Sequence, residues 1–450
     1  MLAAGRSQRL SMLTEGRSKA LVQIGGVSLV ERAVRTLERA GCDRVVVVVG
    51  HQGDEVGRAA RLAGGNVEVV HAPNWEDGNG ASLAAAEDAV GGEPAFVVMC
   101  GDHTFSANAL DPLLDAGGPA VLIDDGPTPE AWGEGMKVHV ERGHATAFAK
   151  TLDERAIDCG VFVLPPAVFD AARAGAFEGD HSLAGAVTRL AASVPVWAVP
   201  LSADSWWRDV DTPADLRAAK TLIRRSLAKD TDGPVSRYLN RPISTRITMA
   251  LAPLRIPPNF LTAVILAVGV WAGWSLSASR ALVGGLLTQA VSILDGVDGE
   301  TARLHDRTSR FGAKLDALCD RMVDAAIIAG LWLWSWDDPS RTFRIEIILA
   351  AMIGWAILSQ ILYGPFDVIS RFDDELPPAT ALLGARDSRL VLIAGVSLFD
   401  QPVPAFLVAA FAYLSSGLHR ILLVGRRGRG DADAGAPTGL SPPDQVRETA

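Results

Sequence analysis

Two apolar stretches, each of a length that can enter a bilayer, are joined by a hydrophilic segment carrying Asp295, Asp298, Asp316 and Asp320. The segment reads Leu294-Asp295-Gly296-Val297-Asp298-Gly299-Glu300-Thr301-Ala302-Arg303, then eight residues to Gly312, then Asp316 and Asp320. Carboxylates at the edge of a hydrocarbon span are costly, so a cluster of them marks function rather than fold. Four together repel unless cations lie between them. Oxygen-only ligation suits hard ions such as Mg²⁺, which commonly bridge carboxylates to substrate phosphates. The segment points to phosphoryl-group chemistry at a membrane surface.

The 450 residues divide by composition. Mean hydropathy is +0.21, but the apolar excess is confined to residues 256–425, whereas residues 1–230 have the balance of a soluble domain. Apolar runs predict six spans, at about 259–277, 281–297, 313–335, 343–364, 386–400 and 402–424, against the roughly 20 residues that a perpendicular helix needs. Arg303, Arg307 and Arg310 follow the second span, Arg371 and Arg386 lie between the fourth and fifth, and Arg420, Arg426, Arg427 and Arg429 follow the sixth. The opposite loops hold only Arg280, Arg341 and Arg344. This asymmetry predicts a multi-pass inner or cytoplasmic membrane protein, with both termini, the soluble domain and the aspartate segment on the cytosolic side. Residues 229–255 read as a linker, in which Val235–Leu254 is a basic amphipathic helix bearing Arg237, Arg241 and Arg246, with Arg255 just after it. Residues 426–450 read as a disordered tail.

In residues 1–228, short apolar runs alternate with helical patterns. Val45–Val49, Val67–His71, Ala95–Cys100, Ala120–Ile123, Gly160–Leu164 and Val194–Val199 predict strands, with helices such as Leu29–Ala40 and Ala81–Ala89 between them. That order predicts an α/β sheet of mostly parallel strands. Pro213 to Ala228 reads as a closing helix with Thr212 as its N-cap. The first strand, at Leu2–Gly5, is short for a parallel strand, which suggests a start upstream of Met1. The net charge of −10 argues against general nucleic-acid binding. Cys42, Cys100, Cys159 and Cys319 fit no zinc or redox spacing and read as free thiols.

Two constellations carry the chemistry. Asp316 and Asp320 share a helix face, Asp295 and Asp298 are spaced i,i+3, and two antiparallel helices can aim all four into one pocket. Gly296, Gly299 and Gly312 allow a diphosphate to approach the backbone, and Arg303 is a phosphate partner. Asp324, one turn further, reads as a buried partner for Arg321 or another basic group, with a proton relay as the alternative. In the soluble half, the loop after the first strand offers Gly5 and Arg9, followed by Lys19, to a triphosphate. Asp102 follows a strand's carboxyl end, where α/β sheets bind ligands, and could share one Mg²⁺ with Asp209. Asn79 and Gly80 form a tight turn suited to a base edge. Asp211 reads most simply as a helix-capping residue.

The pattern DxxDGxxARx8GxxxDxxxD resembles the signature of the CDP-alcohol phosphotransferase family over about 235–425, and every motif position is filled. The resemblance implies an all-α domain of six transmembrane helices and two divalent ions, Mg²⁺ or Mn²⁺. It implies that Asp295, Asp298 and Asp316 hold the metals, that Asp320 touches metal and acts as the base, and that Gly299, Arg303 and Gly312 meet the nucleotide. The family attacks the β-phosphorus of a CDP-alcohol and releases CMP. Residues 1–225 resemble the sugar-phosphate nucleotidyltransferases, implying a Rossmann-like α/β fold, at least one further metal ion, nucleotide contacts from Gly5, Asn79 and Gly80, and catalytic roles for Arg9 and Lys19. Ser7, Gln8 and Ser18 depart from that family's loop.

The fusion, the connector Ser236–Arg246 and Gly384-Ala385-Arg386-Asp387 resemble one family: the bifunctional inositol-1-phosphate cytidylyltransferases / di-myo-inositol phosphate phosphate synthases. The resemblance implies a cytidylyltransferase domain at 1–228 and a phosphotransferase domain at 256–425. The first would make CDP-inositol from CTP and inositol 1-phosphate, and the second would join it to another inositol 1-phosphate. The implied partners are these substrates and a lipid bilayer, with a homodimer through the membrane domain also consistent. A phosphorylated acceptor needs cations, for which Arg246, Arg310 and Arg386 are candidates. Lys137 and Lys150 are candidates for substrate phosphate in the soluble half, and Glu134 for its ring hydroxyls. The alternative product is a phospholipid headgroup of the phosphatidylinositol-phosphate kind.

Overall fold

The computed structural model describes residues 1–6, 16–90, 92–229, 232–337, 354 and 386–414. Contacts divide the chain into two compact units. One is Met1–Leu227 with Met249–Arg255 and Leu304–Asp306; the other is Ala228–Thr248, Ile256–Arg303 and Arg307–Ala450.

The first unit is built on sheets whose central strands, Val45–Val49, Ala120–Asp124 and Ile157–Leu164, are largely buried on both faces. Leu2–Ala3, Val45–Val49 and Val67–His71 form a parallel three-stranded sheet, with Val45–Val49 in the centre and wholly buried. Its alternate valines serve two layers: Val47 and Val49 join one core, Val46 and Val48 another. A parallel bridge between Leu2 and Cys100 links this sheet to a second, six-stranded one. There Ile157–Leu164 lies between Phe96–Met99 and Ala120–Asp124, antiparallel to both, and also pairs antiparallel with Lys137–Glu141 at one position. Trp197–Pro200 runs parallel to Ala120–Asp124 and pairs antiparallel with His144–Ala149. The expectation of mostly parallel strands is therefore corrected: the fold is α/β with a mixed sheet. Strands covered on both sides read as unbroken apolar runs whichever way they pair.

Helix Leu29–Arg39 turns Val30, Ala33, Val34 and Leu37 into the core, one face at a spacing of three and four, and Ser28 Oγ accepts from Glu31 N at its start. The predicted helix at Ala81–Ala89 is two short ones, Asn79–Ala84 and Glu87–Val90. The closing helix, Pro213–Ser226, begins on a capping box of Thr212 and Asp215.

The described residues of the second unit are mainly helical. Among the described residues, two helices are long and apolar enough to cross a membrane: Pro258–Ser277 and Ala281–Leu304. The latter runs seven residues past the predicted end at Val297, so Asp295 and Asp298 sit within a helix rather than at its end. Arg310–Trp334, Arg386–Ser397 and the shorter apolar helix Pro402–Leu414 follow. The predicted span at 343–364, the last ten residues of the predicted sixth span, and the tail at 426–450 lie outside the described residues, Gly354 apart.

Small residues let two of these helices meet backbone to backbone. Gly269 and Gly273 lie one turn apart on Pro258–Ser277 and face Val323, Ala326 and Gly330 of Arg310–Trp334. A Cβ at Gly273 would lie 2.2 Å from the Ala326 carbonyl oxygen, and one at Gly330 would lie 2.1 Å from the Gly273 oxygen. Gly273→Ala is expected to cost about 1–3 kcal/mol as the helices are forced apart. The check is a lower midpoint of thermal unfolding in detergent, with Val270→Ala on the exposed face as the control.

Candidate functional site

Each unit gathers its own acidic cluster. In the first, the strand Phe96–Met99 delivers Cys100, Gly101 and Asp102 beside the first strand, where Gly101 N donates to Leu2 O at 2.8 Å. Trp207–Asp209 pairs antiparallel with His103–Phe105, Asp209 opposite His103. This pairing carries Asp209 and Asp211 to Asp102, and their carboxylate oxygens lie within 4.8 Å of one another. Lys19 Nζ enters the cluster, donating to Asp102 Oδ2 at 2.9 Å, to Asp209 Oδ1 at 3.0 Å, and to Asp211.

Asp211 was missed as a site residue. The capping position belongs to Thr212, whose Oγ1 accepts from Asp215 N, so Asp211 is left to face Lys19. The signal was present in Asp209-Val210-Asp211, since residues two apart on an extended chain point the same way. His103 is a second addition. Its Nδ1 lies 2.6 Å from Asp102 Oδ1, its ring stacks on Trp207 at 5.5 Å, and Trp207 Nε1 donates to Asp124 Oδ2 at 2.9 Å.

Burial works against charge on Lys19, but the three carboxylates hold its pKa well above the usual lysine range. Burial likewise opposes the Asp102 carboxylate, yet Lys19 and His103 hold it well below the usual range. His103 rises to about 9 because Asp102 and Asp209 outweigh its burial. Burial, with Asp102 alongside, lifts Asp209 to about 6 against the pull of His103 and Lys19.

A cavity of about 410 Å³ opens on this cluster, lined by Gly5, Arg6, Trp75, Asn79, Ser82 and Asp102 among others. Gly80 is not among its lining residues. Gly80 N donates to His181 O at 2.8 Å, and a Cβ there would lie 2.6 Å from the same oxygen, so its smallness serves packing against that carbonyl. Asn79 lines the cavity while its Oδ1 accepts from Leu183 N. Arg9 lies outside the described residues. Lys137 is buried with its ammonium 4.6 Å from the Trp132 ring centre, Glu134 and Lys150 are exposed, and none of the three lines the cavity.

In the second unit, Asp295, Asp316 and Asp320 bring carboxylate oxygens within 4.8 Å of one another. Asp298 is turned aside. Thr262 Oγ1 donates to its Oδ2 at 2.5 Å and Gly299 N to its Oδ1 at 2.6 Å, leaving it 3% exposed. Arg386 fills the edge of the cluster: Nη1 reaches Asp295 Oδ1 at 2.7 Å and Asp320 Oδ1 at 2.9 Å, and Nε reaches Asp324 Oδ1 at 3.0 Å. Arg246 and Arg310 are exposed, and Arg246 Nη1 donates to Pro242 O one turn back. Gly312 N donates to the Ser309 cap, and a Cβ on Gly299 would lie 3.3 Å from Arg303 Nη1.

Glu300, inside the signature, is fully buried. It accepts from Ser244 Oγ at 2.6 Å, Thr248 Oγ1 at 2.6 Å and Arg241 Nη1 at 2.8 Å. Arg241 in turn clasps both oxygens of Asp232 at 2.7 Å. This network ties the connector to the helix that presents Asp295. Both acidic trios are all-oxygen donor sets, which fit hard divalent ions and not soft ones. Cys100, Asp102 and His103 also place ligand atoms within 4.8 Å.

A bifunctional IPC transferase and DIPP synthase from Rubrobacter xylanophilus is 35% identical over 95% of this chain and 96% of its own length. The chain belongs to that family. Another bifunctional IPC transferase and DIPP synthase, from Thermococcus kodakarensis, is 32% identical over 87% of this chain and 88% of its own. Residues 1–194 match the MobA-like NTP transferase domain, and residues 255–410 match the CDP-alcohol phosphatidyltransferase family. The solved inositol-1-phosphate CTP transferase from T. maritima is 23% identical, covering 51% of this chain and 96% of its own, with a TM-score of 0.46. By the two family matches, the chain is a two-domain transferase: a nucleotidyltransferase fold followed by a helical CDP-alcohol phosphotransferase domain.

Proposed function

We propose that residues 1–228 make CDP-inositol from CTP and inositol 1-phosphate, that 229–255 form a juxtamembrane linker, and that 256–425 transfer the inositol-phosphate group to a second inositol 1-phosphate with release of CMP. Full-length similarity to bifunctional IPC transferase and DIPP synthases supports this pairing. The observation that carries the transfer step is the convergence of Asp295, Asp316 and Asp320 on the signature helices.

In the soluble step, a phosphate oxygen of inositol 1-phosphate attacks the α-phosphorus of CTP, and pyrophosphate leaves. Gly5 and Asn79 border the cavity that takes the nucleotide, while Lys19 and Arg9 neutralise the triphosphate. Asp102, Asp209 and Asp211 would hold one Mg²⁺ or Mn²⁺. In the membrane step, Asp320 takes the proton of the acceptor hydroxyl as that oxygen attacks the β-phosphorus of CDP-inositol. The bond from that phosphorus to the oxygen of CMP breaks, and CMP leaves. Asp295, Asp316 and Asp320, with Asp298 turning in from Thr262, would hold two ions, which when bound supply charge neutralisation for the diphosphate. Gly299, Gly312 and Arg303 serve the nucleotide, and Arg386 the acceptor phosphate.

We place the second domain in the membrane as six spans, with both sites and both termini on the cytosolic side, and allow a homodimer through it. The two apolar helices and the arginine distribution support this placement. The test is to incubate membranes with CTP, Mg²⁺ and labelled inositol 1-phosphate, and then partition the products. A water-soluble diester is expected. Label extracted into organic solvent would instead mean a phospholipid-headgroup product, and CDP-inositol without transfer would confine the reading to the soluble half.

A further inference from the structure

Asp324 lies one turn beyond Asp320 on Arg310–Trp334 and is 1% exposed. The signature does not include it, and it stands outside the trio whose oxygens converge. Its Oδ1 accepts from Arg386 Nε at 3.0 Å, while Arg321 and Arg389 lie 3.8 and 3.9 Å from Oδ2. The Arg389 guanidinium is itself seated 4.6 Å from the centre of the Tyr413 ring.

A guanidinium presents separate edges in a fixed plane. In Arg386 one edge, Nε, is on Asp324, and another, Nη1, is on Asp295 and Asp320. Asp295 and Asp320 are also members of the converging trio, so they cannot serve both Arg386 and cations fully. Asp324 is the carboxylate that Arg386 keeps when the other two are engaged. Were Asp324 absent, the buried guanidinium would keep only Asp295 and Asp320, whose carboxylates the cations also claim, and the Asp320 carbonyl oxygen at 3.5 Å, so its orientation at the pocket edge would no longer be fixed from behind.

We infer that Asp324 is a positioning residue for the acceptor. It tethers Arg386 through Nε, so that Nη1 faces the phosphate of the incoming inositol 1-phosphate beside Asp320. This rests on the transfer reaction proposed above. It makes the Asp324–Arg386 pair a determinant of preference for a phosphorylated acceptor alcohol.

The experiment uses the full-length chain in nanodiscs, with purified CDP-inositol and inositol 1-phosphate as substrates and Mn²⁺ binding read by electron paramagnetic resonance. Asp324→Asn is expected to raise KM for inositol 1-phosphate about 10- to 100-fold, the range for groups that orient a ligand from behind. KM for CDP-inositol and Mn²⁺ affinity should stay at wild-type values. Asp324→Glu, which keeps the charge, should fall between wild type and Asp324→Asn. An unchanged acceptor KM in Asp324→Asn overturns the tether. So does a parallel loss of both KM values and Mn²⁺ affinity in both variants, which marks a purely structural role. If Asp324→Asn alone fails to bind Mn²⁺, Asp324→Glu decides: a raised acceptor KM with intact Mn²⁺ binding supports the tether, and a wild-type KM overturns it. A wild-type chain that transfers nothing would overturn the transfer reading and the tether together, whereas an active wild type with an unaltered Asp324→Asn overturns the tether alone.

Discussion

Asp320→Asn is expected to abolish transfer while CDP-inositol accumulates. The amide keeps the shape of the side chain but cannot take the acceptor proton. Loss of a positioned general base costs about 10²- to 10⁴-fold in rate. The substitution also removes a negative charge 2.9 Å from Arg386 Nη1, yet Asp295 at 2.7 Å and Asp324 at 3.0 Å still hold that guanidinium. Arg386 should therefore stay in place, and the defect should combine loss of the base with weaker metal binding, since Asp320 is also one of the three converging carboxylates. The soluble unit forms its own cluster from Lys19, Asp102, Asp209 and Asp211, so cytidylyl transfer should continue. The check is a time course with CTP and labelled inositol 1-phosphate, resolved into CDP-inositol and diester. Persistence of the diester at the wild-type rate would remove Asp320 from the base role.

Asp102→Ala gives the converse pattern. Asp102 touches both cations of its cluster, Lys19 through Oδ2 and His103 through Oδ1. Removing it leaves Lys19 on Asp209 and Asp211 alone, and takes one of three converging oxygens from the donor set. CTP consumption should fall by at least about 100-fold, because each member of a small metal-binding set carries much of the affinity. Supplied CDP-inositol should still be converted by the membrane unit. Loss of both steps would mean that the substitution unfolds the chain. Loss of neither would remove Asp102 from the reaction.

The sequence exposed some of this more readily than the rest. Asp316 and Asp320 on one helical face followed directly from a spacing of four. The end of the preceding helix did not, because Asp298, Gly299 and Glu300 lower hydropathy just where the helix continues to Leu304. Glu300 can remain there only because Ser244, Thr248 and Arg241 meet it, and these lie far away in sequence. Arg386 was legible as a basic residue beside a predicted span, but its contacts with Asp295 and Asp324 cross 91 and 62 positions. In the soluble unit, Thr212 as N-cap was readable from Thr-Pro-x-Asp. The same residues free Asp211 from capping, and its i,i+2 relation to Asp209 was the clue to its place beside Lys19. Strand direction stayed hidden because the central strands Val45–Val49, Ala120–Asp124 and Ile157–Leu164 are largely buried on both faces, which removes the alternation that would separate parallel from antiparallel pairing.

The most direct measurement is single-step transfer from purified CDP-inositol to labelled inositol 1-phosphate, taken across a chelator titration and back with added Mg²⁺. The transfer step requires divalent ions among Asp295, Asp316 and Asp320. Diester formation is therefore expected to fall to background in excess chelator and to return in full with Mg²⁺. Undiminished turnover in excess chelator would contradict this requirement.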